Sequence, residues 1–373
     1  MCSRLCATLV MILILPGIRA IQPFNGDTLP SNISEKLDDY WRTYKTQFNK
    51  TYTRNLENVR RAAWEQNLVE IYKHNLLAAA GHHSYTLRDN HIADLSTRQY
   101  MREMVLLYHE HYNSPQNIND TKIAPTTSLS ANFPQVKLMP SRRRRLPTEP
   151  IVSAVLKNPR DIPARLDWRE YGFVTSPVNQ RSCGSCYAYS IAESIEGQIF
   201  KQTGMLLPLS AQQLVDCSTS TGNLGCTGGS LRNTLKYLEK SKGLMARSTY
   251  PYNAEQGECQ FQKDLSVVNI TSWAILPARD EKALEIAVAT IGPIAASINA
   301  SPKTFQLYHK GVYDDHQCSS DMVNHAMLVV GYTPTEWILK NWWGASWGEK
   351  GYMRLARNKN RCGVANYAAY VKV

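Results

Sequence analysis

Two cysteines separated by two residues, Cys183 and Cys186, lie at the start of a predicted helix. After them, apolar residues recur at the three- and four-residue spacing of one helix face: Ala188, Ile191, Ala192, Ile195 and Ile199. Gly204 then provides a typical stop signal. Cys186 is therefore predicted in the first turn, where unpaired backbone N–H groups and the positive end of the helix dipole favour a thiolate. This position suits a nucleophile.

The spacing of Cys183 and Cys186 has two other chemical uses. Such a pair forms half of a zinc site, or the two thiols of a redox centre. A zinc site needs further cysteine or histidine ligands at a suitable spacing. A redox centre needs both thiols to be free together. On these two residues alone, a nucleophile, a metal site and a redox pair all stay open.

Residues 1–20 have the features of a secretory signal peptide. Arg4 precedes an apolar run from Ala7 to Leu15, and the segment ends in Gly17-Ile18-Arg19-Ala20, a fair cleavage signal. The run is about half of the roughly 20 residues that a bilayer span needs, and no later segment qualifies. The sequence therefore predicts a product without a membrane span that enters the secretory pathway and becomes lysosomal or extracellular.

Glycosylation acceptors and the cysteine count fit this compartment. Four sequences match the acceptor pattern for N-linked glycans: those at Asn32, Asn49, Asn119 and Asn269. Seven cysteines follow the signal peptide: Cys183, Cys186, Cys217, Cys226, Cys259, Cys318 and Cys362. In an oxidising compartment, an odd number leaves at least one cysteine unpaired by the others, and that residue is a candidate reactive thiol.

The net charge of +11 over 373 residues would also fit a nucleic-acid-binding protein. Four of the positive charges, however, form the single run Arg142 to Arg145. No basic helix or patch of interleaved aromatic residues accompanies that run. We therefore expect no nucleic-acid partner.

The chain divides into three parts after the signal peptide. Residues 21–112 lack cysteine and are predicted to form a small helical domain, because two apolar stripes have helical spacing. The stripes consist of Leu37, Tyr40, Trp41 and Tyr44, and of Val59, Ala63, Trp64, Leu68, Ile71 and Tyr72. Residues 113–161 are rich in proline and are interpreted as an exposed linker. Its basic run 142–145 is either a solvated charge cluster or, as we favour, a site of proteolytic processing.

Residues 162–373 are predicted to combine a helical half, about 162–270, with a sheet half, about 271–373. In the first half, Ser210 and Gln213 fit a capping box, and Ser230 fits the N-cap of a helix that ends at Gly243. In the second half, short apolar or alternating runs predict strands at 294–298, 324–332, 336–341 and 351–356. The fold class is thus α+β, and the cleft between the halves is the natural binding site.

Four residues in this order, Gln180, Cys186, His325 and Asn341, resemble the active-site pattern of the papain-like cysteine proteases. The resemblance extends from Ile162 to Val364. It implies a two-domain papain-like fold with a helical left domain, a β-barrel-like right domain and an active-site cleft between them.

Residues before the linker resemble the inhibitory propeptide of cathepsin L-type enzymes. The matching positions are Arg60, Trp64, Asn67, Ile71 and Asn75, followed by Asn90, Ile92 and Asp94. Two positions depart from the family pattern, because Leu56 replaces a glutamate and Arg88 replaces a glycine. The resemblance implies a zymogen whose own propeptide fills the cleft, and we expect acid to weaken carboxylate contacts such as those of Asp94.

The resemblance also implies a role for each catalytic residue. Cys186 would be a thiolate nucleophile with a lowered pKa, and His325 would pair with it and protonate the leaving amine. Asn341 would orient the imidazole under the cover of Trp343. Gln180 would bind the oxyanion together with the backbone N–H of Cys186. Peptide bonds would then be hydrolysed through a thioester acyl-enzyme, with no cofactor or metal ion.

Further positions would bind substrate. Gly228 and Gly229 would let an extended peptide approach and pair with the backbone. The pocket for the second residue before the scissile bond would be lined by Leu231, Ser297, Ala326 and Tyr367. Because most of these residues are apolar, we expect the pocket to take hydrophobic side chains, with Tyr367 limiting its depth.

Six cysteines allow fifteen pairings, and the resemblance implies one of them. The implied disulfides are Cys183–Cys226, Cys217–Cys259 and Cys318–Cys362. Cys186 is then the odd thiol, and Cys183 is no longer available to a zinc site.

We expect an endopeptidase, since no insertion resembles an exopeptidase's blocking loop. We also expect the protein to be a monomer. Its partners would be peptide and protein substrates and cystatin-type inhibitors. Tyr187, Arg181 and Trp342 depart from the family pattern and lead us to expect an unusual specificity. Two alternatives remain: an inactive homologue that acts as a binding protein, and a thiol-disulfide oxidoreductase that uses Cys183 and Cys186.

Overall fold

The structure is a computed structural model that describes residues 31–105 and 162–373. The predicted signal peptide, the basic run 142–145 and the acceptor Asn119 lie outside these residues. Asn49 and Asn269 are exposed, as glycan acceptors must be. Within the described ranges, none of the helices combines the length and apolar character that crossing a bilayer requires.

Residues 31–105 form a helical unit, as the two apolar stripes predict. Its elements are α1 (Ser31–Gln47), α2 (Arg54–Ala79), β1 (Tyr85–Leu87) and α3 (Thr97–Met104). The rings of Trp41 and Trp64 pack with centroids 5.2 Å apart where α1 crosses α2. The Asn67 side chain on α2 donates to the carbonyls of Ala93 and Leu95, at 2.7 and 3.1 Å. One expectation is wrong, since Val59 is exposed on the outer face of α2.

Residues 162–373 combine helices with a large sheet. The helices are α4 (Cys186–Thr203), α5 (Ala211–Cys217), α6 (Leu231–Ser241), α7 (Glu281–Thr290) and α8 (Lys303–Gln306). The strands are β2 (Leu166–Asp167), β3 (Leu244–Met245), β4 (Ser266–Val268), β5 (Ser272–Ile275), β6 (Ile294–Ile298), β7 (Tyr308–Tyr313), β8 (His325–Tyr332), β9 (Glu336–Lys340), β10 (Tyr352–Ala356) and β11 (Ala368–Lys372). The four predicted strands are therefore confirmed to within one residue at each end.

The large sheet joins the two parts of the chain. Its order is β1-β7-β10-β9-β8-β6-β11-β5, with β2 paired to β8, while β3 and β4 form a separate pair. β1 of the helical unit is thus the edge strand, antiparallel to β7. Gly311 on β7 has a φ of +99°, and a Cβ there would collide with the backbone at Ser84 and Tyr85. The docked strand therefore approaches more closely than any side chain would allow.

Helix α4 begins at Cys186 and ends at Thr203, with Gly204 in the left-handed conformation. The predicted start and stop are therefore confirmed. The helix is buried on all its faces and not on one face alone, because every residue from Cys186 to Phe200 is buried. It passes through the interior, between α5 and α6 on one side and the sheet on the other. Cys186 is consequently fixed at the tip of a fully packed element.

The capping predictions are half right. The Ser210 side chain accepts from the N–H of Gln213 and caps α5, and Ser230 likewise caps α6. The reciprocal bond of a capping box is not made at α5, because the N–H of Ser210 donates to Met245 instead. The Gln213 side chain bonds Tyr237, Gly243 and Met245. Helix α6 ends at Ser241, before the expected Gly243, because Lys242 adopts the left-handed conformation.

Three disulfides link Cys183 to Cys226, Cys217 to Cys259 and Cys318 to Cys362. These are the pairs that the family resemblance implies. Cys186 is the free cysteine of the described part of the chain. Because Cys183 is bonded to Cys226, it is not a redox partner for Cys186. Nor do three or more metal-binding side chains converge anywhere within residues 31–105 and 162–373.

We predict that Asn67→Ala will loosen the helical unit locally. The change leaves the buried carbonyl of Ala93 without its side-chain donor and that of Leu95 with the donor Gln306 alone, which costs about 2 kcal/mol. Amide hydrogen exchange of peptides spanning 90–95 should accelerate by about 30-fold. Lys73→Ala, at an exposed position of the same helix, is the control. Unchanged exchange in the Asn67 variant would contradict this account.

Candidate active site

Strands β8 and β9 place a histidine beside an asparagine. His325 is the first residue of β8, and Asn341 directly follows the end of β9. The strands are antiparallel neighbours, so these two ends meet. His325 Nε2 lies 2.8 Å from Asn341 Oδ1, and both side chains are fully buried. The Trp343 ring packs 4.9 Å from the imidazole and covers it.

This arrangement assigns different tasks to the two ring nitrogens of His325. Nε2 is committed to Asn341, an acceptor, which favours the tautomer with the proton on Nε2. Nδ1 is buried and has no hydrogen-bond partner among the described residues. Nδ1 is therefore the nitrogen that is left for proton transfer.

Cys186 lies where the first turn of α4 meets the start of β8. The backbone N–H of Ala326, the residue that follows His325, acts to lower the pKa of its thiol. The backbone N–H groups of Tyr187 and of Cys186 itself act in the same direction. The strand that carries the imidazole thus supplies one of three backbone dipoles that favour the thiolate.

Burial dominates the protonation of both groups in this state. It raises the pKa of the Cys186 thiol to about 12, although the three backbone N–H groups act in the opposite direction. It lowers the pKa of His325 to about 4, and the bond to Asn341 opposes that shift. The expectation of a lowered thiol pKa is therefore wrong for this closed state, because desolvation outweighs the helix terminus. The thiol and the imidazole are both neutral here.

Gln180 is held beside the first turn of α4 by its backbone. Its N–H donates to Trp342 at 2.8 Å, and its carbonyl accepts from the Tyr252 hydroxyl at 2.7 Å. Its side-chain Nε2 donates to the carbonyl of Cys183 at 2.9 Å, which leaves one further N–H on that nitrogen. The carboxamide can therefore act as a donor next to Cys186.

A buried ion pair that the sequence reasoning missed ties α4 to β9. Lys340 Nζ bonds Glu193, and both side chains are almost inaccessible to solvent. Lys340 also donates to the carbonyls of Thr175 and Ser176, at 2.7 and 3.2 Å. Glu193 lies about two turns after Cys186 on α4, and Lys340 directly precedes Asn341. A lysine at the end of an apolar strand run was the available signal.

Tyr187, Arg181 and Trp342, which depart from the family pattern near the candidate site, each have a structural partner. The indole of Trp342 donates to the carbonyl of Ala326 at 2.8 Å. The Tyr187 hydroxyl donates to the carbonyl of Gly225 at 3.0 Å. Arg181 adopts a left-handed φ of 54°, which its N–H supports by donating to the Asn179 side chain. None of these residues displaces a member of the candidate site.

The two glycines predicted to bind substrate have different surroundings. Gly228 has a φ of 118°. Its N–H donates to the carbonyl of Gly225, and its carbonyl accepts from the N–H of Leu224. No described residue bonds the N–H or carbonyl of Gly229. A Cβ on Gly229 would come within 2.8 Å of the Asn223 and Tyr187 side chains. Only Gly229 thus has backbone groups left for a peptide, and local crowding alone explains why it must be glycine.

The four residues predicted to line the specificity pocket come together. Ser297 on β6 is paired with Ala326 on β8, and its N–H donates to the carbonyl of Tyr367. Leu231, Ala326 and Tyr367 belong to one buried cluster with Cys186. The Tyr367 hydroxyl accepts from Arg232 Nε at 2.9 Å, so a polar contact lies beside the residue predicted to limit the depth of the pocket. The sequence reasoning did not include Arg232.

The helical unit docks beside the site on the sheet half. The Tyr100 hydroxyl donates to the carbonyl of Ala300 at 2.6 Å, and its ring lies edge-on to Trp343, with centroids 5.7 Å apart. Gln306 extends its side chain to the carbonyls of Ile92 and Leu95, at 2.8 and 3.0 Å. The helical unit therefore contacts Trp343, the residue that covers His325.

Comparisons with known proteins agree on one family. The model described as "Papain family cysteine protease" matches residues 162–372, and "Cathepsin propeptide inhibitor domain (I29)" matches residues 41–100. Mouse cathepsin K is 38% identical over 345 residues, covering 91% of this chain and 94% of that protein. Mouse cathepsin J is 36% identical over 347 residues, covering 91% and 93%.

Solved proenzyme structures have the same fold. Digestive procathepsin L 3 from the larval midgut of Tenebrio molitor matches with a TM-score of 0.73 and 31% identity, covering 90% of this chain and 99% of that one. A recombinant stem bromelain precursor matches with a TM-score of 0.71 and 27% identity, covering 91% and 99%. Both matches include most of the helical unit as well as the part that follows it.

We predict that the Cys186 thiol of the uncleaved chain will react slowly with iodoacetamide at pH 7. A pKa of about 12 instead of 9.0 reduces the thiolate fraction by about 1,000-fold. The labelling rate should keep rising through pH 9 without a plateau, and urea-unfolded chain should label at the rate of an ordinary thiol. A plateau below pH 6 in the uncleaved chain would show that the thiol is already ionised.

Proposed function

The chain belongs to the papain family of cysteine proteases and is the zymogen of a cysteine endopeptidase, and on this premise we propose that Cys186, His325, Asn341 and Gln180 carry its reaction. The observation that supports this most is the buried bond from His325 Nε2 to Asn341, because it leaves Nδ1 for the cysteine sulfur. The backbone N–H of Ala326, the residue next to that histidine, also favours the thiolate form of Cys186.

The reaction begins when water reaches the sulfur. Contact with water ends the burial that raises the pKa of the Cys186 thiol. The backbone N–H groups and the helix terminus, which favour a thiolate, then dominate. The proton passes from Cys186 Sγ to His325 Nδ1. The resulting imidazolium keeps its Nε2–H on Asn341, which holds the ring in orientation.

The thiolate then attacks the carbonyl carbon of the peptide bond. The carbonyl oxygen becomes an oxyanion that accepts from the N–H of Cys186 and from Gln180 Nε2. The bond from carbon to nitrogen breaks as His325 Nδ1 returns its proton to the leaving amine, which leaves a thioester on Cys186. Water, deprotonated by Nδ1, hydrolyses the thioester and regenerates the thiol. Trp343 keeps bulk water from the bond between His325 and Asn341.

Substrate binds in this proposal as an extended strand. Its backbone pairs with Gly229, while Gly228 shapes the turn and stays bonded within it. Leu231, Ser297, Ala326 and Tyr367 surround the second side chain before the scissile bond.

The helical unit is the intramolecular inhibitor of this zymogen. We propose that the chain follows the secretory pathway to a lysosomal or extracellular destination, with cleavage at the basic run 142–145 as one processing step. Glycans on the exposed Asn49 and Asn269 fit this route. The mature enzyme acts as a monomer that cystatin-type inhibitors block.

Asp94 and His91 of the helical unit make different kinds of contact. Asp94 is buried and bonded to Tyr44, Tyr52 and Lys50, all within that unit. His91 instead crosses the interface, with Nδ1 2.8 Å from Ser346 Oγ and Nε2 buried without a partner in the described chain. His91 is therefore the group whose protonation opposes docking directly.

The test of the reaction compares Cys186→Ser with Asn341→Ala after both chains are activated by the same external basic-specific protease. Cys186→Ser should reduce peptide cleavage to background, because the hydroxyl is not ionised at this site. Asn341→Ala should retain the nucleophile but lower kcat about 100-fold through misorientation of the imidazole. Substantial cleavage by the Cys186 variant would show that the activity does not come from Cys186. It would favour the alternative in which the chain itself is a binding protein.

We predict that His91 makes docking of the inhibitor depend on pH. Burial and Lys50 lower its pKa from 6.5 to about 4, and Asp94 acts in the opposite direction. The undocked form thus binds more protons between these values, so docking is strongest above pH 6.5 and weakens as the pH falls towards 4. The full effect is about 300-fold, from 2.5 pKa units.

His91→Asn, whose amide takes the place of Nδ1, should keep the bond to Ser346 but remove this dependence. The measurement is hydrogen exchange of β7 (Tyr308–Tyr313), which β1 protects, in uncleaved Cys186→Ser chains with and without the His91 change. After correction for intrinsic rates, β7 should become less protected between pH 6.5 and 4 only where His91 is present. Equal pH dependence in both chains would exclude His91 as the sensor.

A further inference from the structure

Strand β7 (Tyr308–Tyr313) has the helical unit as its outer neighbour in the sheet. β1 of that unit pairs with it in antiparallel register, with Thr86 opposite Lys310. The N–H of Val312 extends the ladder by donating to the carbonyl of Ser84 at 3.0 Å. In the proposed function, activation removes the helical unit. The mature enzyme then has an open strand edge at β7, and such an edge is a ready template for another extended chain.

The strand that occupies this edge in the uncleaved chain indicates what the edge accepts. Tyr85 and Leu87 are only 3% and 2% exposed, and residues two apart on a strand share a face. Tyr85 lies opposite Gly311, and its ring centroid is 4.7 Å from that of Tyr313. His74 of α2 packs 4.4 Å from the Tyr85 ring, so a bare peptide would bury less of such a ring than β1 does. The edge fits an extended segment with an aromatic residue and, two positions later, an aliphatic one.

Lys310 gives the edge a preference for one sign of charge. It is exposed and forms no ion pair within residues 31–105 and 162–373. The carboxylate of Glu349 is bonded instead to Arg354 and to the N–H of Gly311. Residues directly opposite each other on antiparallel strands have their Cβ atoms about 5 Å apart. A carboxylate in the place of Thr86 would therefore reach the ammonium of Lys310.

Three ring contacts link the edge to the candidate active site. The ring of Tyr308, the first residue of β7, lies 5.5 Å from that of Trp347. Trp347 lies 5.2 Å from Trp343, and Trp343 lies 4.9 Å from the imidazole of His325. The edge is thus separate from the catalytic residues but close to them, so one polypeptide can occupy both through a short linker.

We infer that β7 of the mature enzyme is a second substrate-binding site, which takes an extended segment of a protein substrate with an aromatic, an acidic and an aliphatic residue in succession. The segment adds to the sheet as a strand where β1 lay, and its acidic residue faces Lys310. A second copy of the enzyme fits less well, because pairing of two β7 strands brings both Lys310 side chains to one edge. This inference rests on the proposed function, since only an activated enzyme has lost the helical unit.

The binding test uses the full chain after activation by an external basic-specific protease, with Cys186 then blocked by an epoxide inactivator so that the probe is not cleaved. The probe is a fluorescent peptide with the sequence of residues 82–89, in which glutamate replaces Thr86. Fluorescence anisotropy should show binding to the processed enzyme and none to the uncleaved Cys186→Ser chain, whose edge β1 already occupies. Serine in place of Tyr85 in the probe should weaken binding about 10-fold, because the aromatic contact is lost.

A charge reversal assigns the binding to this edge. The probe with glutamate at the central position should bind about threefold more tightly than one with threonine, and one with lysine should bind more weakly than either. Lys310→Glu should reverse that order. The matched control, Lys236→Glu at an exposed position of α6, should leave the order unchanged. An order that Lys310→Glu does not change overturns the inference. The comparison of processed with uncleaved chain does not depend on Lys310→Glu, so a folding failure in that variant does not remove the test.

A cleavage assay connects the edge with activity and separates two kinds of failure. A substrate that carries the probe segment, joined to a cleavable peptide by a flexible linker, should have a KM about 10-fold lower than the same substrate with serine in place of the tyrosine, at equal kcat. Enzyme whose Cys186 is titrated by the inactivator and which cleaves short peptides, but which binds no probe or dimerises through β7 in sedimentation experiments, overturns the inference alone. Enzyme that is neither titrated nor active overturns the proposed function, and the inference falls with it.

Discussion

The proposed reaction depends on holding the imidazole of His325 in one orientation beside a sulfur that a different part of the chain supplies. The bond to Asn341 sets that orientation, and Trp343 covers it. His325 lies at the start of β8 and Asn341 just after the end of β9, where the two strands meet. The register of these strands therefore aligns the two side chains. The buried pair of Lys340 with Glu193 then fixes β9 against α4, whose tip carries Cys186. Breaking such a pair would leave an uncompensated buried charge, which makes this alignment costly to lose.

The same burial that fixes the geometry opposes the chemistry. A sulfur and an imidazole out of contact with water are driven to their neutral forms, even though nearby backbone N–H groups favour the thiolate. The helical unit docks against the sheet half, next to Trp343, and adds its own strand to the sheet edge. In the proposed reaction, water and substrate must therefore reach these assembled residues, which suits an enzyme that is made as a zymogen.

Local rules were sufficient for much of this fold. The start and end of α4, the caps Ser210 and Ser230 and the four apolar strands depend on near neighbours, and the sequence pattern predicted them. Partners of buried polar groups depend on distant segments. The Gln213 side chain bonds Tyr237 and Gly243 instead of completing a capping box. Arg232 bonds Tyr367, which lies 135 positions further along the chain. Strand β7 was missed because His309, Lys310 and Gly311 interrupt the apolar pattern of its sequence.

The most direct test of the central claim treats the processed enzyme with an epoxide-type thiol inactivator and locates the adduct by mass spectrometry. We expect one adduct, on Cys186, whose formation parallels the loss of peptidase activity and is much slower in the uncleaved chain. Activity that persists after Cys186 is fully modified, or inactivation that modifies another residue, would contradict it.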